Sequence, residues 1–102
     1  MNARVIHWSA SEAPTEGAIK AILKQAGLSA YQWSNGPGDT YGAHSHPYHK
    51  VIYVVQGSIR FGLPESGDVV TLHTGDRLEL PPGVSHDAVV GDGGVICLEA
   101  HL

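Results

Sequence analysis

The sequence predicts an all-β domain, a sandwich or barrel of short antiparallel strands, with one short α-helix near its N-terminus. Three observations carry this. The chain has 102 residues, which is room for one domain and one core. It combines 42% apolar and 16% charged residues with 13 glycines, apolar enough to fold and rich in places to turn. Beyond Gly27, apolar residues recur at every second position in short runs broken by Gly, Pro and Asp.

Taken in order, Arg4 to Trp8 reads as a short strand stopped by Ser9, Ser11 and Pro14. From Thr15 to Ala26 the period changes. Ile19, Ile22, Leu23 and Ala26 fall on one stripe of a helix, with Thr15 as N-cap and Gly27 closing the last turn. Lys20 and Lys24 point away from that stripe, so the helix is expected to pack on the main body, with Trp8 and Trp33 beneath it. Tyr31 to Ser34 is the next strand, followed by the dense turn signal Asn35 to Asp39. The remaining strands are expected at Tyr41–His46, Lys50–Gln56, Ser58–Leu63, Val69–His73, Arg77–Leu80, His86–Val90 and Val95–His101. Gly57, Pro64 to Asp68, Thr74 to Asp76, Pro81 to Ser85 and Gly91 to Gly94 separate them as turns. Residues 1–34 thus supply the N-terminal strand, helix and lead-in strand, residues 35–102 the barrel, all within one structural domain.

Six basic against ten acidic side chains leave a net charge of −4, no field for a phosphate backbone, so nucleic acid is not an expected partner. The longest apolar run, Val51 to Val55, is far short of the roughly 20 residues that cross a bilayer, and no membrane partner is expected. Met1 to Trp8 lacks the apolar stretch of a signal peptide, and the single cysteine, Cys97, suits a reducing compartment; the expected location is cytoplasmic.

Histidine is the unusual entry, seven in all, more than lysine and arginine together. His44, His46 and His49 lie within six residues, and His86 follows the stiff Pro81-Pro82-Gly83 corner. On a regular strand His44 and His46 share a face, where two imidazoles can grip a small cation about 2.0 to 2.1 Å from each nitrogen. Without more context, such a pair more often marks polar strand residues facing solvent.

The context resembles a known family. Gly38, five residues, His44-Ser45-His46, three residues, Lys50, six residues, Gly57 is similar to the first motif of the cupin superfamily at every position but that of Lys50. Gly75, five residues, Pro81, one residue, Gly83, two residues, His86 resembles the second motif, with Val90 where asparagine is usual. The 17 residues from Ser58 to Thr74 lie between the motifs. The resemblance implies a cupin jelly-roll with a divalent transition metal held by His44, His46 and His86. Iron, nickel, zinc, manganese and copper suit three neutral histidines about equally.

Lys50 stands where that motif has a glutamate ligand. An ammonium about 4 Å from a dication is repelled by roughly 8 kcal/mol at an effective dielectric of 20. Four outcomes resolve this. Lys50 turns aside to pair with Glu79 or Glu99; or it loses its proton and serves as a ligand or catalytic base. Alternatively the pocket holds no metal and Lys50 with the imidazoles binds a small anion, or Pro47 makes a bulge that brings His49 in as a fourth ligand.

The expected function is therefore a metal-dependent small-molecule enzyme, dioxygenase- or isomerase-like, with Lys50 as its catalytic candidate. The alternative is a non-catalytic cupin binding a small anion, sugar or carbonyl compound. A homodimer through exposed strand edges is expected. His7, His73 and His101 match no ligand position, Cys97 reads as core, Tyr41, Tyr48 and Tyr53 lie near the site in sequence, Arg60 reads as exposed, and Asp76 is placed to bond turn amides.

Overall fold

The computed structural model describes residues 3–102. Among these are seven strands and one helix: β1 (Arg4–Ile6), α1 (Glu16–Gln25), β2 (Ala30–Asn35), β3 (Thr40–His44), β4 (Lys50–Leu63), β5 (Asp68–His73), β6 (Arg77–Leu80) and β7 (His86–His101). All strand pairs are antiparallel.

The strands form two leaves joined by their two longest members. The first half of β4, from Lys50 to Gln56, pairs with β6 and with the C-terminal half of β7. Its second half, from Ser58, pairs with β5 and with the start of β7. With β1 beside β6 and β2 beside the end of β7, one leaf runs β1-β6-β4-β7-β2; the other runs β5-β4-β7-β3. The sheet does not close, so of the expected barrel or sandwich the chain forms the open sandwich, with β1 and β2 as edges of the first leaf.

Two expected turns are not turns. Gly57 and Gly91 to Gly94 lie inside continuous strands, where the β4–β7 register shifts between Val54 and Gln56 and again between Gly57 and Ile59. Gly57 takes φ 84°, and a Cβ there would lie 2.0 Å from the Gly94 carbonyl oxygen. The glycine permits a bulge that bends both strands from one leaf into the other, a job a chain reversal is not needed for.

Alternation along these strands sorts the core. Ile52, Val54, Ile59, Phe61, Leu78, Leu80, Val95 and Cys97 pack between the leaves. Val51, Tyr53, Leu98 and Ala100, the odd steps of the same strands, face outward and are covered by Ile19 and Leu23 of α1. The helix is held at both ends. Thr15 Oγ1 accepts from the Ala18 amide at 3.1 Å, and the Gly27 and Leu28 amides reach the Lys24 and Leu23 carbonyls, each at 3.0 Å. Leu28 then packs on the same outer cluster, as the C-terminal motif favours.

Neither tryptophan lies beneath the helix as expected. Trp33, opposite Cys97, faces between the leaves. Trp8 sits against the β5–β6 turn, where a Cβ on Gly75 would come within 2.8 Å of its side chain; only glycine lets the indole approach. Asp76 fulfils its expected role there: its carboxylate accepts from the Trp8 and His73 amides, both at 2.9 Å, and from His7 Nδ1 at 3.2 Å.

A histidine trio and a buried carboxylate between the leaves

His44 ends β3 and pairs in register with His86, which begins β7. His46 is not on a strand, contrary to expectation; β3 ends at His44 after a register shift, and His46 is set by the loop that follows. That loop is tied to the second motif, because the Gly83 amide donates to the His46 carbonyl at 2.8 Å. The Pro81-Pro82-Gly83 corner thus positions both His46 and His86. The ligand atoms of His44, His46 and His86 lie within 4.8 Å of one another.

Two of the three rings are fixed by their own backbone. His44 Nδ1 meets the Gly42 carbonyl at 2.7 Å and His86 Nδ1 the Val84 carbonyl at 3.1 Å. Each Nδ1–H donating in this way leaves Nε2 as the free lone pair. Burial, followed by the nearby charges of His44, Lys50 and His46, holds His86 below the usual histidine range. Burial, then Lys50 and His44, lowers His46 likewise. Neutral imidazoles with converging lone pairs are what a divalent transition metal takes. Tetrahedral ligands at about 2.1 Å stand about 3.4 Å apart, so the rings need draw in by only about an ångström. The three histidines can hold a metal ion.

The trio opens on a cavity of about 300 Å³ between the leaves. Ile52, Ile59, Phe61 and Ala88 form its apolar wall; Trp33, Tyr41 and Tyr48 contribute aromatic faces. Tyr48 lines the cavity and stacks with two histidines, its ring centre 4.9 Å from that of His46 and 4.0 Å from that of His101. Tyr53 is elsewhere, on the outer face under α1 and Arg77.

Lys50 faces inward, as its spacing predicts, and is nearly buried. Its Nζ lies 3.5 Å from Glu99 Oε1 and 3.3 Å from His46 Nε2. Of the four outcomes, the structure shows pairing with Glu99. His49 does not join the trio; its Nε2 points toward Glu79 Oε1, 3.9 Å away, and has no hydrogen-bond partner.

Glu99 is the centre of a cluster that extends beyond its expected pairing with Lys50. It is 3% exposed and faces between the leaves one strand over from Lys50. Its Oε1 accepts from Trp33 Nε1 at 3.0 Å as well as facing Lys50; its Oε2 accepts from the Tyr31 hydroxyl and meets His101 Nε2 at 2.8 Å. Burial alone would raise its pKa, but the bonds from Tyr31 and His101, with Lys50 and Trp33, outweigh it, and the pKa is lowered. Burial, and then the same contact, raise that of Tyr31. His101, expected to do nothing special, is part of this cluster. The signal for it is present in the chain: a carboxylate in the otherwise apolar run Val95 to Ala100 needs buried donors.

A two-leaf β-sandwich with paired histidine motifs around an inner cavity defines a cupin. The Cupin domain family profile matches residues 33–100, and the chain belongs to that family. An RmlC-like cupin from Shewanella frigidimarina is similar in structure, with 30% identity, 72% of this chain and 64% of that chain covered, and a TM-score of 0.63. The DMSP lyase DddQ from Ruegeria pomeroyi aligns at 26% identity over 72% of this chain and 37% of its own, with a TM-score of 0.66. Protein NMB1881 from Neisseria meningitidis aligns at 25% identity over 74% and 75%, with a TM-score of 0.61. The chain therefore spans under two thirds of the Shewanella protein and little more than a third of the lyase. No curated protein matches it.

Proposed function

We propose that this cupin binds a divalent transition metal through His44, His46 and His86 and converts a small molecule in the adjoining cavity. The observation that carries the proposal is the convergence of three imidazoles within 4.8 Å, two with Nδ1 engaged by backbone carbonyls. A bound metal would act as a Lewis acid and offer open positions to substrate, chemistry that serves a dioxygenase, an isomerase or a lyase. The likeness to the DMSP lyase supports an enzyme. The chain's own contribution is an apolar wall that excludes water and Lys50, which presents a cation to an anionic group of the substrate or to charge that develops during reaction.

Elemental analysis of protein purified without a histidine tag, followed by reconstitution with iron(II), manganese, nickel, copper and zinc, tests this. At least half an equivalent of metal per chain is expected; none as purified and none after reconstitution would end the proposal.

A second reading is favoured by the Lys50–His46 contact, 3.3 Å long: a metal-free pocket in which that pair receives a small anion. Lys50→Glu separates the two. It restores a carboxylate beside the trio, tightening metal binding under the first reading and abolishing anion binding under the second. The expected cytoplasmic location and homodimer belong to this proposal also. The open edge of β2 supports pairing of two copies, and mass determination by light scattering tests it.

A further inference from the structure

We infer that Glu99 is a positioning residue that makes the histidine trio competent for metal by giving the Lys50 ammonium, which lies against His46 in the metal-free chain, a carboxylate to withdraw to. This rests on the metal-binding reading above. A carboxylate offers about four lone-pair sites, and Glu99 has four side-chain donors around it: Trp33, Lys50, Tyr31 and His101. With every site engaged it has none left to accept a substrate proton or to ligate. Its role is to place charge.

The charge it places matters because of where Lys50 sits. The Nζ lies between Glu99 Oε1 at 3.5 Å and His46 Nε2 at 3.3 Å, and the Lys50 and Glu99 side chains are both nearly buried. Without Glu99 the ammonium, already 3.3 Å from His46 Nε2, would have no counter-charge to withdraw to and would repel a dication entering the trio. Held by Glu99, its charge is balanced within the cluster, and a modest swing toward the carboxylate frees the His46 nitrogen. The three other donors are what keep Glu99 ionised and aimed, since they reach it from two strands: Tyr31 and Trp33 on β2, His101 two residues along β7. A glutamate at position 50 would ligate directly. Here a carboxylate one strand over restrains the lysine that took its place.

The test is a double-substitution cycle read by zinc affinity, using calorimetry on tag-free protein, with circular dichroism and thermal melting to verify the fold. Glu99→Gln keeps size and loses charge; it is expected to weaken zinc binding at least tenfold. In a Lys50→Met background the same change is expected to cost threefold or less, because no ammonium remains to be restrained. Lys50→Met alone is expected to bind zinc no more weakly than the unaltered chain. This variant carries the test if Glu99→Gln does not fold, and weaker binding by it overturns the inference. An equal loss from Glu99→Gln in both backgrounds also overturns it, since Glu99 would then act without Lys50. Uptake by the unaltered chain and Glu99→Gln alike overturns the positioning role while sparing the metal reading; no uptake by the unaltered chain overturns both.

Discussion

Asp76 and Glu99 are both buried carboxylates with depressed pKa values, yet they are partnered in opposite ways. Asp76 accepts from two backbone amides, those of Trp8 and His73, and fastens the segment after β1 to the β5–β6 turn. Glu99 is surrounded only by side chains, four of them, of which Tyr31, Trp33 and Lys50 line the cavity. Backbone donors cannot be substituted away, so Asp76 is committed to the fold. Side-chain donors can be, so Glu99 arranges groups whose identity the cavity chemistry sets. Each difference of this kind can be broken by substitution.

The largest expected effect is at Asp76. Asp76→Ala strands two amides, each costing about 1–3 kcal/mol, and is expected to lower stability by about 3 kcal/mol in urea unfolding while leaving zinc stoichiometry unchanged. A loss of metal with it would dissolve the contrast. Next, His86→Ala is expected to weaken zinc binding about 100-fold, or roughly 2.7 kcal/mol, with only a small change in unfolding free energy in the absence of metal. A smaller effect sharpens the comparison further. Glu99→Gln leaves a nearly buried ammonium unpaired, and adding Lys50→Met is expected to recover about 1.5 kcal/mol of stability. Adding His7→Ala to Asp76→Ala is expected to recover nothing, because the stranded groups are backbone.

The same distinction explains what was legible in the sequence. Helix α1 was readable to its caps, because Ile19, Leu23, Thr15 and Gly27 act through local spacing. The trio was readable because motif spacing quotes fixed glycines and prolines, and the Gly83–His46 bond shows why they are fixed. Asp76 was readable only in its local half: the His73 amide lies three residues away, whereas the Trp8 amide reaches it across 68 residues of chain. The Glu99 cluster is only half readable: strand parity offers Lys50 a pairing with Glu79 or Glu99, while nothing local directs Tyr31, Trp33 or His101 to it. Tyr31 and Trp33 reach Glu99 across 68 and 66 residues of chain, through the β2–β7 register. Strand merging at Gly57 was missed for a related reason. A glycine that bends a strand and a glycine that reverses it look alike until the partner strand, here at Gly94, is known.

The smallest effect, and the one that isolates Asp76, is its acid dependence. Burial raises its pKa, but the His73 and Trp8 amides and His7 outweigh burial, so the folded value lies below the unfolded value near 4. Above the unfolded value the carboxylate is ionised in both states and its full contribution to stability is present. Between the two values the unfolded chain binds the proton and the folded chain does not, so stability falls as pH falls, by at most about 1.4 kcal/mol per pH unit for this one group. Below the folded value the contribution is gone. Urea unfolding of the metal-free protein from pH 6 down to pH 3 is therefore expected to show a shallower decline for Asp76→Asn than for the unaltered chain. Parallel declines would mean that Asp76 enters the fold already matched by its unfolded environment, and its amide bonds would then count for shape and not for acid stability.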